Sequence, residues 1–132
     1  MHITLEADYA VRIVACLAKC RCRMDAKTIS ENTCVTLRFS LKILRKLVAS
    51  GIVKSYKGTQ GGYEIARPLE EISLRDVIET IEGPYNLSRC TSGNFTCNRS
   101  HCEGSCKFQK VFWEISQEVR NRLEACKFSD LV

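Results

Sequence analysis

Four cysteines fall within the 17 residues CTSGNFTCNRSHCEGSC, Cys90–Cys106, at spacings C-x6-C-x4-C-x3-C. Thiolate sulfur is a ligand for soft metals and iron–sulfur clusters, and in an oxidising compartment it pairs into disulfides. Gly93, Gly104, Asn94, Asn98 and the serines break any helical or strand period, so the stretch reads as a loop. It joins a helix expected over 73–84 to a long amphipathic helix expected over 107–126. A metal site, a disulfide framework and a plain polar crossing are all open to such a loop.

Compartment narrows the choice. The opening MHITLEADYAVRIVACLAKC carries Glu6 and Asp8 ahead of its apolar part and shows no cleavage-site pattern. It reads as a first helix, not an export signal. No run approaches the roughly 20 apolar residues of a membrane span, so a cytoplasmic protein without a membrane partner is expected. Thiols stay reduced there, and nine cysteines cannot all pair, which points to metal or redox chemistry. The 132 residues, 45% hydrophobic and 27% charged, suit one globular core. Charge is split: residues 1–67 hold 12 Lys and Arg against 5 Asp and Glu, net +7, and residues 68–132 are net −2. A basic half suggests a polyanion, with nucleic acid the leading case.

The elements that position these residues follow from periodicity. Leu5, Val11, Val14 and Leu17, with Ala7, Ala10, Ala15 and Ala18, give a helix over 5–19. Cys16 and Cys20 share one of its faces; with Cys22 and Cys34 they read as inert structural thiols. Asp25 caps a short helix over 26–32 and Thr36 caps a longer one over 37–50. The longer helix is expected to bury Leu41, Leu44, Leu47 and Val48 and to present Arg38, Lys42, Arg45 and Lys46. Two helices about three residues apart, the second basic, have the form of a helix-turn-helix. Strands over 52–56 and 63–66 flank Lys57-Gly58-Thr59-Gln60-Gly61-Gly62, a hairpin tip. With strands on both sides, that glycine-rich loop is a wing and not a phosphate cradle. Ser73 and Asp76 approach a capping box, and Gly83-Pro84 stops the helix they open. Phe108, Val111, Phe112, Ile115, Val119, Leu123 and Cys126 recur at spacings of three and four, a seam for a partner helix. His2 and His101 have no nucleophile-and-acid setting, so no enzyme is expected.

These residues resemble the winged-helix regulators of the IscR, NsrR and CymR type, the Rrf-two family, over essentially the whole chain. ITLEADYAVRIVACLA, VTLRFSLKILRKLVASGIVKSYKGTQGGYEIARP and ISLRDVIETIEGP carry the likeness. Gly58, Gly61, Gly62 and Tyr63 of the wing and the closing IEGP are its most specific pieces. The resemblance implies a homodimeric transcription factor that binds a palindromic duplex operator. It implies a mainly α fold with a small β-hairpin wing, namely a winged helix-turn-helix plus a long C-terminal dimerisation helix. The implied divisions are 1–84 for DNA binding, 85–106 for the cluster loop, and 107–132 for the dimerisation helix and tail. Thr36, Arg38, Ser40, Lys42, Arg45 and Lys46, with Lys57 and Gln60 on the wing, are the implied DNA contacts. Lys57 stands where the family wing usually has arginine, which keeps the charge and loses the bidentate fork.

The family also implies an iron–sulfur cluster, 2Fe-2S or 4Fe-4S, on three loop cysteines. Cys90, Cys97 and Cys106 match them, and Cys102 is extra. The remaining ligand can be a carboxylate from the partner subunit's first helix, a role that falls on Asp8, or it can be Cys102. The loop departs from the family pattern, because Cys97 and Cys106 enclose eight residues where five are usual. Chemistry favours a cluster over zinc, since structural zinc sites present paired C-x2-C or C-x4-C knuckles and this loop has a single spacing of that kind. The expectation is a DNA-binding regulator controlled by its cluster. A thiol- or zinc-sensing regulator of the same fold is the alternative, and an iron–sulfur carrier or enzyme subunit is the rival from another class.

Overall fold

Each of the first four α-helices begins at a short polar side chain that takes up an otherwise unpaired amide. In the computed structural model, which describes residues 2–93, 95–98 and 106–132, the Ala7 amide donates to Thr4 Oγ1 at 3.1 Å and opens α1, Leu5–Cys20. Thr28 donates to Asp25 at 2.7 Å at the head of α2, Ala26–Thr33. Phe39 donates to Thr36 at 3.3 Å at the head of α3, Leu37–Ala49. At α4, Leu74–Glu82, the capping box is complete: Ser73 Oγ accepts the Asp76 amide and Asp76 accepts the Ser73 amide. The turn between α2 and α3 holds Cys34 in the left-handed region at φ 55°.

After α3 the chain folds into an antiparallel hairpin of β1, Val53–Tyr56, and β2, Gly62–Ile65, with Val53 opposite Ile65 and Tyr56 opposite Gly62. Met24 adds a single rung beside β2: its amide donates to Tyr63 O at 2.9 Å, and the Tyr63 amide donates back at 2.8 Å. Gly62 permits this approach, because a Cβ there would meet Met24 O at 2.7 Å. A 3-10 turn at Arg89–Thr91 enters the cysteine loop, and α5, Lys107–Ala125, leaves it.

The core forms around α1. Ala7, Ala10, Ile13, Val14 and Leu17 are fully buried and pack with Ile43, Leu44 and Leu47 of α3, Ile29 of α2 and Val77 of α4. Two details depart from the expected stripe: Ile13 is fully buried within it, and Leu5 is 62% exposed. On α3 the buried row is Ser40, Ile43, Leu44 and Leu47. Leu41 was expected inside and is 40% exposed. The inward arc is centred one position away from the one read off the leucines, because Ile43 belongs to it.

The end of the chain is also structural. Phe128 opens a short helix, α6 (Phe128–Leu131), is 1% exposed and sits in the main core. Its amide donates to Ile72 O at 2.9 Å, and the Leu74 amide donates to Cys126 O at 2.9 Å. The tail thus strings across the start of α4. Truncating a buried phenylalanine removes its transfer energy and leaves a cavity, so Phe128→Ala is expected to cost about 3–5 kcal/mol. Urea unfolding checks this; a loss below about 1 kcal/mol would place the tail outside the cooperative core.

Candidate functional site

The candidate reading face is built on α3. Arg38, Lys42 and Arg45 are exposed and Lys46 is half-buried. Arg38, Phe39, Leu41, Lys42 and Arg45 line one shallow groove. Leu41 lies between the two arginines, so this surface can make an apolar contact as well as charged ones; a thymine methyl is the matching group on DNA. Thr36 is exposed beside them, with its hydroxyl engaged as the cap. Ser40, expected among the DNA contacts, does not belong there. It is fully buried, 3.5 Å from Val35 O, because it faces α1 on the inner arc of the helix.

Lys57 and Gln60 are exposed at the wing tip. An arginine that sequence reading passed over joins them: Arg23 stacks its guanidinium 3.4 Å from the Tyr56 ring centroid and donates to Gln60 O at 3.1 Å. A charge in the link before α2 gave no signal of its own, and only the Met24–Tyr63 rung carries it to the wing.

A second unanticipated contact modifies the charge of α3. Glu6 of α1 receives Lys46 Nζ at 2.9 Å and Lys42 Nζ at 3.4 Å. The Lys46 hydrogen bond, stronger than the opposing effect of burial, holds the Glu6 carboxyl below its usual range. Two of the four expected α3 cations are therefore partly neutralised within the chain, leaving Arg38 and Arg45 as the unpaired reading arginines among the described ion pairs.

The cysteine loop forms a separate cleft of about 310 Å³ against the start of α5. Cys90, Cys97 and Cys106 all line it, with Ser88, Arg89, Phe95, Phe108 and Gln109 among the other walls. Cys90 Sγ lies 3.2 Å from Ser88 Oγ, and Gln109 Nε2 donates to Cys90 O at 2.8 Å. The Arg89 guanidinium covers the Phe95 ring at 4.9 Å. Cys106 occupies the N-cap of α5, at the positive end of the helix, where anionic ligands are favoured. Among the described residues no three His, Cys, Asp or Glu side chains converge on one point. The three thiols on the cleft wall are of the donor type that iron–sulfur clusters take. Cys102 lies outside the described residues. Asp8 does not line this cleft; it pairs with Arg12 of its own helix at 2.8 Å.

The two sites are joined through α4 and α5. Ser116 is buried in α5, donates to Phe112 O at 2.7 Å and accepts the Leu87 amide at 2.9 Å, fixing the entry to the loop. Glu79 of α4 takes Arg120 at 2.8 Å and Arg75 at 3.2 Å. Burial would push the Glu79 carboxyl up, and the Arg120 bond, the Tyr85 amide and Arg75 together hold it low instead. With that face docked, Phe108, Val111 and Ile115 remain exposed along the other side of α5, whereas Phe112, Val119 and Leu123 are half-buried.

Comparison with known proteins gives this arrangement a family. The model of the Rrf2 family, described as an iron-dependent transcriptional regulator, matches residues 3–132. An rrf2-like HTH-type transcriptional regulator of Rhodobacter capsulatus is 31% identical over 98% of this chain and 91% of its own length. An HTH-type regulator of Mycobacterium tuberculosis is 37% identical over 64% of this chain, and the match spans only 53% of that protein. The structure of CymR, the global cysteine regulator of Bacillus subtilis, superposes with a TM-score of 0.78 at 21% identity, covering 99% of this chain and 95% of that one. The family's function is regulation of transcription, not catalysis.

The Glu6 contact carries its own prediction. Glu6→Gln should free Lys42 and Lys46, tighten binding to a non-specific duplex and steepen its dependence on salt by up to about two units, one per phosphate newly neutralised. Fluorescence anisotropy across a salt series reads the slope; an unchanged slope would show that the lysines already contact phosphate with Glu6 in place. The mainly helical fold with its two-stranded hairpin, the whole-length family match and the basic reading helix agree: the chain belongs to the Rrf2 family of winged helix-turn-helix transcriptional regulators.

Proposed function

We propose that the protein is a cytoplasmic homodimeric regulator whose affinity for a palindromic operator is set by an iron–sulfur cluster held on Cys90, Cys97 and Cys106. The observation that carries this reading is that the three cysteines line one cleft at the head of α5; the iron-dependent description of the family agrees with it. Asp8 of the partner subunit, or Cys102, completes the ligand set. When bound, the group would supply iron centres whose charge and integrity respond to oxygen, nitric oxide or iron supply. A reading through thiols alone stands second, favoured by the likeness to CymR, the global cysteine regulator.

The chain's own residues explain how occupancy of the cleft could reach DNA. Gln109 and Ser116 tie the loop to α5, and Glu79 ties α5 to α4. From there α4 packs on α1, and Glu6 of α1 holds the lysines of the reading helix. Residues 1–84 act as the reader, 85–106 as the sensing loop and α5 as the dimer helix, with the tail returning to the reader. A dimeric helix-turn-helix must set its two reading helices about 34 Å apart to enter successive major grooves. A ligand given across the dimer by Asp8 would therefore bear on that spacing, with a coupling of roughly 1–3 kcal/mol. Thr36, Arg38, Lys42, Arg45 and Lys46 contact one groove and its phosphates, and Lys57 and Gln60 contact the flanking backbone.

Anaerobic absorbance with iron and sulfide analysis tests the ligand set. Cys90→Ala and Cys106→Ala should abolish retention of the cluster, Cys102→Ala should keep most of it, and Asp8→Ala should leave it labile with altered DNA affinity. Cys102 essential and Asp8 neutral would instead mean four thiolates from one chain. Equal operator affinity for loaded and empty protein at one salt concentration would remove the sensor role.

The dimer seam is assigned to Val111 and Ile115, with Phe108, Phe112, Val119 and Leu123 beside them. Burying each such side chain is worth about 1.5–3 kcal/mol, so a double Val111→Glu, Ile115→Glu variant should run as a monomer in light scattering. A folded dimer of that variant at micromolar concentration would exclude the seam.

A further inference from the structure

The wing is a short hairpin anchored at one end only. Val53 and Ile65 pair at its base, with Val53 in the main core and Ile65 packed against it. At its tip Lys57, Gly58, Thr59 and Gln60 are all exposed. The sheet is two-stranded and each strand has four residues. A hairpin of that size is marginal in water by itself, so its tip keeps one position only if something outside the hairpin holds it.

Arg23 touches the hairpin with every part of its side chain. Its Nη1 donates to Gln60 O at 3.1 Å, and its guanidinium lies 3.4 Å from the Tyr56 ring centroid. Its stem runs over Gly62, where an added Cβ would meet Arg23 Cγ at 3.1 Å. Backbone bonds put it there, since the adjacent Met24 exchanges amide bonds with Tyr63 at 2.9 and 2.8 Å. Among the described hydrogen bonds, the one from Arg23 to Gln60 is what joins residues 57–61 to the body of the protein. Lys54 Nζ reaches the same ring at 5.4 Å, but it belongs to the hairpin and cannot tie it to anything else.

We propose that Arg23 is a positioning residue for DNA binding: it clasps the wing tip to the link before α2, so that Lys57 and Gln60 meet the duplex in a fixed relation to the reading helix. The proposal rests on the reading of Lys57 and Gln60 as wing contacts. Residue type supports the clasp, because a planar guanidinium stacks on a ring and donates in its own plane at once, which an ammonium does not. The ring is itself held, as the Tyr56 hydroxyl donates to Glu64 on the opposite strand. Division of roles supports it too. The Arg23 head is engaged within the chain, whereas Lys57 has no partner among the described ion pairs and is left for phosphate. A tip ordered before binding spares the complex the cost of ordering it, so loss of the clasp registers as lost affinity.

Hydrogen exchange of the free full chain, followed by mass spectrometry over residues 53–65, reads the clasp without DNA. Arg23→Ala and Tyr56→Leu should each speed exchange there about three- to fivefold, and the double variant should add little, since both changes break one stack. Native exchange in Arg23→Ala overturns the proposal whatever the DNA results. Should circular dichroism show Tyr56→Leu unfolded, Arg23→Ala, at an exposed position, decides alone. Fluorescence anisotropy with a short mixed-sequence duplex across a salt series reads the consequence. Lys57→Ala should lower the salt slope by about one unit. Arg23→Ala should weaken binding with no greater fall in slope, and adding it to Lys57→Ala should lower the slope no further. A fall of about two units in that double variant would make Arg23 a phosphate contact in its own right and overturn the positioning role. Native affinity in Arg23→Ala beside weakened binding in Lys57→Ala overturns it as well. A native slope in Lys57→Ala would remove the wing contact itself, and the exchange rates then decide the clasp.

Discussion

Burial of the Ala7–Ala18 face of α1 against α2, α3 and α4 is the constraint from which the remaining geometry follows. Ala7, Ala10 and Ala18 are small enough for neighbouring helices to approach closely, and Ile13, Val14 and Leu17 fill the space between them. Helices packed this tightly move as units, because a well-filled interior deforms at high cost. Glu6 and Asp8 lie in its first turn, where Glu6 meets two lysines of α3 and Asp8 pairs with Arg12.

The reading helix itself shows how a sequence's formal charge differs from the charge it offers to DNA. Four cations lie on the outer side of α3, yet Lys42 and Lys46 share Glu6. The Glu6 side chain is only 24% exposed, so its pairing is better sheltered than a surface ion pair and competes with DNA phosphate for both lysines. Arg38 and Arg45 carry no such partner among the described ion pairs and flank the exposed Leu41. Planar guanidinium groups beside an apolar side chain suit base edges, while point-charge lysines suit phosphates. The α1 carboxylate thereby sharpens a division of labour already present in the residue types.

Helix α5 divides its surface between two obligations. Arg120 attaches it to α4 through Glu79, and Ser116 holds the chain beyond α4 at Leu87, while Val119 and Leu123 are half-buried. Phe108, Val111 and Ile115 lie outside that attachment. Because Gln109 and Cys106 stand at the head of the same helix, the cysteine cleft, the bare apolar row and the docking salt bridges all lie along α5.

Local chemistry was legible from residues alone. Asp25, Thr36 and Ser73 cap the helices they precede, and the wing turns where Gly58 to Gly62 allow it, because caps and turns depend on neighbours within a few positions. The placement of Cys90, Cys97 and Cys106 beside one helix start was legible for the same reason, as short loops cannot carry their ends far apart. Long-range packing decided the rest. Ser40 went inward and Leu41 outward because Ile43, not the leucine spacing, centres the face that meets α1. Phe128 entered the core because the tail pairs with residues 72–74, more than fifty positions earlier in the chain. The Glu6–Lys46 pair and the Arg23–Tyr56 stack join segments separated by some forty and thirty residues. No periodicity within a helix or strand encodes such pairings; they arise only when the buried faces have chosen their partners and the side chains left over find one another.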